Sequence, residues 1–323
     1  MNKNIFQLTF RGVRGSIPTP ATTPQIEEKI LHALAQAKPE DLVDEASRKA
    51  FVDRLPLHIK GCVGGNSSCV QIDVGGQHLV FDAGSGIRGL GLEWMGNEFG
   101  SGQGLCHIFL SHTHWDHIMG IPFFVPFYVE GNRFTVYGAH DDVKGRLVGQ
   151  QKFQYFPVSF DSLHSSIDFV ALNSMKECKI GDATVTWKEM AHPGKSYAYR
   201  VDYMGKSLVY ATDSEYRNLG SADLKPTIDF FRDADLLIFD SQYTFIEGIE
   251  KKDWGHSSAY VGVDIALEAN IKQLALFHHE PTYSDFKLMD IFGLTQKYLK
   301  VVAPQSPLKL TLSCEGLTID LLE

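Results

Sequence analysis

Nowhere in this chain do two cysteines stand as a Cys-x-x-Cys pair. The five present, Cys62, Cys69, Cys106, Cys178 and Cys314, are odd in number and scattered over 323 residues. That pattern argues against a disulfide framework and against a thiolate zinc site, and leaves buried thiols as the expectation. Missing too is any apolar run long enough to span a bilayer. The opening MNKNIFQLTF passes directly into strand-like alternation, without the apolar stretch of a secretory signal. Together these absences predict a cytoplasmic protein with no membrane partner. Basic clusters are also lacking: Lys251 and Lys252 form the densest cationic pair, and the formal net charge is −9. Proteins that grip long nucleic acids displace counterions with a basic surface, so a long nucleic-acid partner is disfavoured. A small anionic ligand held through bound cations remains compatible with this balance. The chain shows no internal repeat, low-complexity tract or heptad run.

The composition, 44% hydrophobic and 21% charged, is that of a globular protein with material for a large core. Strand-like segments recur at FQLTF, SCVQIDV, HLVFDAG, HIFLSH, RFTVYG, ATVTWKEM, AYRVDY, SLVYATD, LLIFD, QLALFHH and LKLTLS. Helical stretches are expected over 118–128, 141–150, 224–232, 258–269 and 284–299. Two sheets with flanking helices in a single domain, residues 1–323, fit this order better than two independent domains. Metal-type residues fall just beyond strand ends: His112 after IFLS, His192 after TVTWKEMA, Asp213 after LVYAT and His278 after QLALF. Loops at such positions carry ligands on a rigid scaffold.

The densest chemistry lies in Ser-His-Thr-His-Trp-Asp-His, residues 111–117. Three imidazoles and a carboxylate this close would repel on protonation and lose hydration on burial. A divalent cation resolves the conflict, since zinc takes imidazole nitrogen and carboxylate oxygen in one shell. Four ligands from one segment could fill a single shell. The split reading is preferred: His112 and His114 converge on one ion, and the turn sends Asp116 and His117 toward a second, which makes a two-metal hydrolase the leading expectation.

Residues 21–60 differ in character. Ile26, Ile30, Leu34 and Ala37 stand at helical spacing, and PEDLVDEASRKAFVDRL can form a second helix. A helical hairpin inserted between two early strands is predicted, with a lid, a homodimer contact or a surface decoration as its open roles.

Taken together, these motifs resemble the metallo-β-lactamase superfamily, in the branch of ribonuclease Z and related small phosphodiesterases. RGVRGSIPTP resembles its first strand and glycine turn, GGNSSCVQIDVGGQHLVFDAGSG its second hairpin, and SHTHWDH its signature. AHPGKSYAYR, VYATDSE, FDSQYTFIEGIEKKDWGHSS and LALFHHEPTYSD follow in the family's order. The resemblance implies a four-layer αββα sandwich with the insertion added to it. It also implies that His112, His114 and His192 hold a first divalent ion, that Asp116, His117 and His278 hold a second, and that Asp213 bridges them. Zinc is the expected metal, with manganese or iron as alternatives, because nitrogen and oxygen donors discriminate poorly among these ions. In that scheme a hydroxide shared by ions about 3.5–4 Å apart is the nucleophile. Asp82 resembles the aspartate that orients a ligand histidine.

His278 is preferred over His279 as the ligand, since adjacent residues at a strand end face opposite ways. His256, in Trp-Gly-His-Ser-Ser, matches a non-ligand histidine of ribonuclease Z-like phosphodiesterases. Its implied role, beside the catalytic carboxylate Asp116, is to assist at phosphate oxygen or leaving group. The alternative is a histidine at a helix start capped by Ser257. Asp253, ahead of Glu247, is the expected partner that sets its protonation. Asn66 and Ser67 are expected to approach the site through backbone donors. The aromatics of PFFVPFYV and FQYFPVSF are expected mainly in the core, with one or two left for a pocket wall. His107, His140 and His164 carry no motif.

Ribonuclease Z carries a transfer-RNA-gripping arm between the later histidine and the bridging aspartate, but only twenty residues separate His192 from Asp213 here. A small phosphodiester such as a cyclic nucleotide is therefore the expected substrate. A lactone, thioester or β-lactam hydrolase on the same site is the first alternative, and a non-catalytic scaffold the second. Di-iron redox chemistry is disfavoured, because His114 stands where such members place a glutamate.

Overall fold

The computed structural model describes residues 3–216 and 222–323. In chain order its first sheet is built from β1 (Phe6–Gly12), β2 (Cys69–Val74), β3 (Gln77–Phe81), β4 (Leu105–Leu110), β5 (Arg133–Gly138) and β6 (Ser166–Ala171). The second comprises β7 (Cys178–Ile180), β8 (Ala183–Met190), β9 (Ser196–Tyr203), β10 (Lys206–Ala211), β11 (Leu236–Asp240), β12 (Gln273–Phe277) and β13 (Lys309–Leu312). A last strand, β14 (Thr318–Asp320), returns to pair with β1, giving strand orders β14-β1-β2-β3-β4-β5-β6 and β13-β12-β11-β10-β9-β8-β7. Each sheet changes from antiparallel to parallel pairing part-way across. β1, β2 and β3 run antiparallel while β3 to β6 are parallel; β7 to β10 run antiparallel while β10 to β13 are parallel. The carboxyl ends of β10, β11 and β12 therefore open on one edge of the second sheet, as those of β3 and β4 do on the first, where open α/β sheets bind ligands.

Alternation in β1, with Phe6, Leu8 and Phe10 buried and the residues between them half-buried, turns one face of the first sheet toward the second. There Phe6, Phe10, Phe81, Tyr199, Tyr210 and Phe277 form the core between the sheets. The outer face of the first sheet is covered by α4 (Gly86–Trp94) and α6 (Val143–Gln150), through Ile87, Leu90, Trp94 and Leu147. That of the second is covered by α7 (Lys225–Phe231), α9 (Ala259–Glu268) and α10 (Asp285–Val302), through Ile228, Phe231, Val263, Ala266 and Leu299. The four-layer αββα expectation is borne out. No helix among the described residues is long and apolar enough to cross a membrane.

The structure differs from the sequence reading in three places. The helix expected over 118–128 is one turn, α5 (Trp115–Ile118), followed by two 3-10 turns. Pro122 and Pro126 each remove an amide donor and clash with a continuing helix. The inserted segment 21–60 is helical and lies between β1 and β2, but as α1 (Thr23–Leu34), α2 (Glu45–Arg54) and α3 (Leu57–Lys60) rather than a two-helix hairpin. Its small core of Phe51, Leu55 and Ile59 packs with Ala33, Ala37 and Phe286 of α10, and Lys29 pairs with Asp285. The predicted stripe Ile26, Ile30 and Leu34 faces solvent. Lastly, Cys62 is exposed, against the expectation of buried thiols, while Cys69, Cys106 and Cys178 are buried.

Candidate metal centre

At the meeting edge of the two sheets, seven side chains from four segments converge. His112 leaves the end of β4, and the tight turn to α5 brings His114, Asp116 and His117 back to the same spot. His192 follows β8, Asp213 follows β10 and His278 follows β12. Two of these, Asp213 (φ 43°) and His278 (φ 61°), sit in the left-handed region, as does Asp82 (φ 58°). Non-glycine residues held there cost energy, and such strain clusters at functional sites.

Asp213 organises the group. Its Oδ1 lies 3.1 Å from His117 Nε2 and 3.2 Å from His278 Nε2. Its Oδ2 faces the other way, 3.6 Å from His112 Nε2 and 3.8 Å from His192 Nε2. Asp116 Oδ2 completes the first side, at 3.2 Å from His117 Nε2 and 3.3 Å from His278 Nε2. His114 completes the second, with Nδ1 3.1 Å from His192 Nε2. Within the trio His112, His114 and His192, and within the group Asp116, His117, Asp213 and His278, ligand-type atoms lie within 4.8 Å of one another.

Outer contacts set which nitrogen each ring offers. His117 Nδ1–H donates to Asp82 Oδ2 at 2.7 Å, His192 Nδ1–H to the Gly255 carbonyl at 2.9 Å, and His278 Nδ1–H to Gln242 Oε1 at 3.0 Å. Asp82 is fully buried and also accepts from the Ser111 amide and hydroxyl, both at 2.7 Å, and from Tyr210 at 2.8 Å. Asp116 accepts the Ser16 amide at 2.7 Å.

Electrostatics point the same way. Burial pushes the His112, His114 and His192 pKa values down, keeping the rings neutral and their lone pairs available. Burial opposes charge on His117 as well, but Asp116, Asp213 and Asp82 outweigh it and raise its pKa. Without a cation, the three carboxylates draw a proton to that ring. His112 Nε2 and His117 Nε2 are buried and make no well-directed hydrogen bond among the described residues, although carboxylate oxygens of Asp213 and Asp116 lie 3.1 and 3.2 Å from His117 Nε2. A buried polar atom left unpaired costs about 1–3 kcal/mol, and here both point into a cluster of carboxylate and imidazole donors. This donor set fits divalent cations.

His256 adjoins the cluster outside those two groups, with ligand-type atoms within 4.8 Å of those of His192 and Asp213 on one side and of Asp240 and His278 on the other. Its ring stacks on His278 at 5.1 Å between centroids and meets His192 edge-on at 5.3 Å. Its partner is Asp240, the last residue of β11, whose Oδ2 accepts from Nδ1 at 2.9 Å. Burial opposes the charged ring, yet Asp240, with Asp213 and Asp116 behind it, pushes the pKa up to about 9. This corrects the expectation for Glu247 and Asp253. Glu247 caps α8 (Phe245–Glu250) through Thr244 and bonds Tyr283, while the Asp253 amide donates to Glu215. Asp240 could have been found from sequence, as a carboxylate at the end of an apolar strand, much as Asp213 follows LVYAT. Gln242 left no such signal.

Other expectations resolve as follows. His279 turns away, donating from Nε2 to the Ser313 carbonyl at 2.9 Å. The residue at the cap position of α9 is Ser258, not Ser257, and its hydroxyl makes no capping bond. The Asn66 and Ser67 amides do not face the site: they donate to Glu315 and to Ser85 Oγ. Phe124, Phe127 and Phe160 are core residues, whereas Phe123, Phe153 and Tyr155 are exposed. His107 bonds Tyr137, and His140 the Gly194 and Lys195 carbonyls, apart from the cluster.

Residues 77–279 match the family model described as a beta-lactamase superfamily domain. The ribonuclease Z of Archaeoglobus fulgidus is 26% identical over 269 residues, spanning 68% of this chain and 83% of that protein. The ribonuclease Z of Sulfurisphaera tokodaii is 33% identical over 128 residues, and there the match spans less than half of either chain, 39% of this one and 41% of the relative. Among solved structures, the metallo-beta-lactamase fold protein YhfI of Bacillus subtilis superposes with a TM-score of 0.62 at 19% identity, covering 98% of both chains.

Proposed function

The chain belongs to the beta-lactamase superfamily, and from that membership we propose that it is a dinuclear metal-dependent phosphodiesterase acting on a small phosphodiester such as a cyclic nucleotide. The observation that carries the dinuclear half is the division of Asp213, whose Oδ1 addresses His117 and His278 while its Oδ2 addresses His112 and His192. In this reading His112, His114 and His192 hold one ion, Asp116, His117 and His278 the other, and Asp213 bridges. Zinc suits the donors, with manganese or iron as substitutes. When bound, two divalent ions supply an acidified water and positive charge for phosphoryl oxygens.

The chain's own groups do the rest. Asp82, Gly255 and Gln242 fix the rings of His117, His192 and His278, so no reorganisation is needed as charge develops. Asp240 engages His256 Nδ1 and favours the imidazolium, which leaves Nε2–H as a donor toward a phosphate oxygen or leaving alkoxide. That proton donor supports phosphate chemistry over carbonyl chemistry, and the ribonuclease Z name of the relatives points to the same bond type. The absence of a basic cluster in a chain of net charge −9 favours a small substrate over a long nucleic acid.

The test is turnover after loading with defined metals, on a cyclic nucleotide, a bis-aryl phosphate, a lactone and a β-lactam. Hydrolysis of the phosphodiesters, with about two ions per chain by elemental analysis, is expected. Turnover of the carbonyl substrates alone makes it a lactone or β-lactam hydrolase. Failure to retain metal makes it a non-catalytic member.

A further inference from the structure

On the rim of the cluster stands a cation that the chain itself does not use. Helix α6 is tied to the turn that carries His114, Asp116 and His117 by two side chains four residues apart, and so on one face. Arg146 Nη1 donates to Thr113 Oγ1 at 2.8 Å, and Gln150 Nε2 to the Ile118 carbonyl at 3.0 Å. Thr113 stands between His112 and His114, so this bond anchors the guanidinium beside both. Of the seven cluster residues His114 alone is exposed, which marks the side on which the cluster meets solvent.

A second chain of contacts places Arg146 on that same side. A Cβ on Gly194 would stand 3.6 Å from His114 Nε2, so the turn at Gly194 and Lys195 lies against the exposed ring. His140 Nε2 donates to both carbonyls of that turn, at 3.3 and 3.1 Å. Burial lowers the His140 pKa, and the nearby charge of Arg146 lowers it further. Arg146 therefore neighbours Thr113 and His140 together, on the flank of His114 that faces solvent.

Most of its donors are unspent. A guanidinium carries five N–H groups in a planar fork, and Arg146 makes no ion pair among the described residues, its one partner being the Thr113 hydroxyl. The charges around it are already engaged: Lys195 with Glu189 at 2.9 Å, Asp142 with the Gly145 amide at 3.0 Å and Asp141 with Asn173 at 3.1 Å. No hydrogen bond or ion pair joins Arg146 to a cluster residue either, so a phosphate held there by bound ions leaves the fork free for another group. The fork matches paired oxygens of phosphate or carboxylate. We propose that Arg146 is a specificity-determining residue that receives a second oxyanion of the substrate, a phosphodiester bearing a further phosphate or carboxylate beyond the bond that is cut. A simple cyclic nucleotide would leave this position empty. The inference rests on the phosphodiesterase reading and narrows its substrate class.

Esters that share one scissile bond and one leaving group test it on the whole, metal-loaded protein: thymidine 5′-(4-nitrophenyl phosphate) with a free 3′-hydroxyl, with a 3′-phosphate and with a 3′-hemisuccinate. The anionic esters should exceed the hydroxyl ester about tenfold or more in kcat/KM, through KM, because a contact away from the reacting bond holds ground and transition states alike. Arg146→Gln should bring that ratio toward one, and Arg146→Lys, a charge without the fork, should lie between. A gain for the phosphate alone, or for both anions, tells which oxyanion the residue takes. Arg146 is exposed, so its replacement leaves the core intact, which thermal melting verifies. Equal turnover of all three esters by the unaltered protein overturns the proposal, as does a ratio that survives Arg146→Gln. An equal loss on all three in that variant also overturns it, by placing Arg146 at the scissile phosphate. Calorimetry reads the contact without turnover: thymidine 3′,5′-bisphosphate should bind about tenfold or more tighter than thymidine 5′-phosphate, and Arg146→Gln should erase the difference. That difference with no ester hydrolysed removes the phosphodiesterase reading and keeps the oxyanion contact, whereas hydrolysis with no difference in binding removes the contact and keeps the phosphodiesterase.

Discussion

His278 Nδ1 lies 3.0 Å from Gln242 Oε1, and the same amide donates from Nε2 to Glu280 Oε2 at 2.9 Å, so the orientation of the amide is fixed from one side and the tautomer of the histidine from the other. An amide flip would place an NH₂ against His278 and a carbonyl against a carboxylate. Gln242 is 2% exposed, so no water competes for the bond. Gln242→Met keeps the volume and removes the acceptor. Partners of this kind are worth about 10–100-fold in metal affinity. Chelator competition on the variant should therefore show one weakened site, at least tenfold below the unaltered protein. Equal affinity at both sites would mean that Gln242 only packs.

The contact between His256 and Asp240 makes a separate prediction about rate. General acid assistance contributes about 10²–10⁴-fold. His256→Ala should lower kcat for a phosphodiester with a poor leaving group by that order, and less for a nitrophenyl ester, whose leaving group needs no proton. Asp240→Asn should lie between, because the ring stays while the carboxylate that favours its charged form is gone. Steady-state kinetics on paired leaving groups checks this. Identical losses for both esters would exclude proton donation as the role of His256.

Residues at strand ends were the legible part of this molecule. An apolar run followed by histidine or aspartate marks a place where the backbone leaves the sheet, and His112, His192, Asp213 and His278 all stand at such places. The supporting contacts were less legible, for different reasons. Asp240 ends β11 in the same manner but offers one carboxylate in a chain of 39 acidic residues. Gln242 and the Gly255 carbonyl are uncharged groups, and nothing local marks them. Helix α4 was hidden by Gly86, Gly89 and Gly91, each unfavourable in a helix by about 1 kcal/mol. Gly86 and Gly91 are there because added Cβ atoms would meet the Arg11 carbonyl at 2.4 Å and Phe124 at 2.8 Å. Tertiary packing overrode propensity, and a single sequence does not display tertiary packing.

Away from the site, His78 links stability to pH. Its Nδ1 is 2.5 Å from Asp73 and its Nε2 is 3.2 Å from Glu98. Burial against Trp94 and Phe99 disfavours the charged ring, but the two carboxylates outweigh it and raise the pKa. A folded-state pKa above the unfolded one means that the protein gains stability where the ring is protonated. The gain is complete below the unfolded value of about 6.5 and is lost as pH rises through the raised folded value. Hydrogen bonds to charged groups are worth about 1.5–3 kcal/mol. Urea denaturation of His78→Gln should show a deficit at pH 6 that shrinks at pH 9. A deficit independent of pH would assign the effect to packing alone.

Two glycines allow the halves of the site to be disabled separately. A Cβ on Gly15 would stand 2.5 Å from His278 Cε1, and a Cβ on Gly255 would stand 2.3 Å from His192 Nδ1. Neither ring can retreat freely, since His278 is held by Gln242 and His192 by the Gly255 carbonyl itself. Gly15→Ala should therefore displace a donor from the group with Asp116 and His117, and Gly255→Ala one from the group with His112 and His114. Gly255 also has φ +87°, so its substitution carries backbone strain, whereas that at Gly15 is steric alone. Elemental analysis after extensive dialysis should fall from about two ions per chain toward one in each variant. The double variant should approach zero. A single-ion site would behave differently: the two substitutions would act on the same ion, and either alone would remove it.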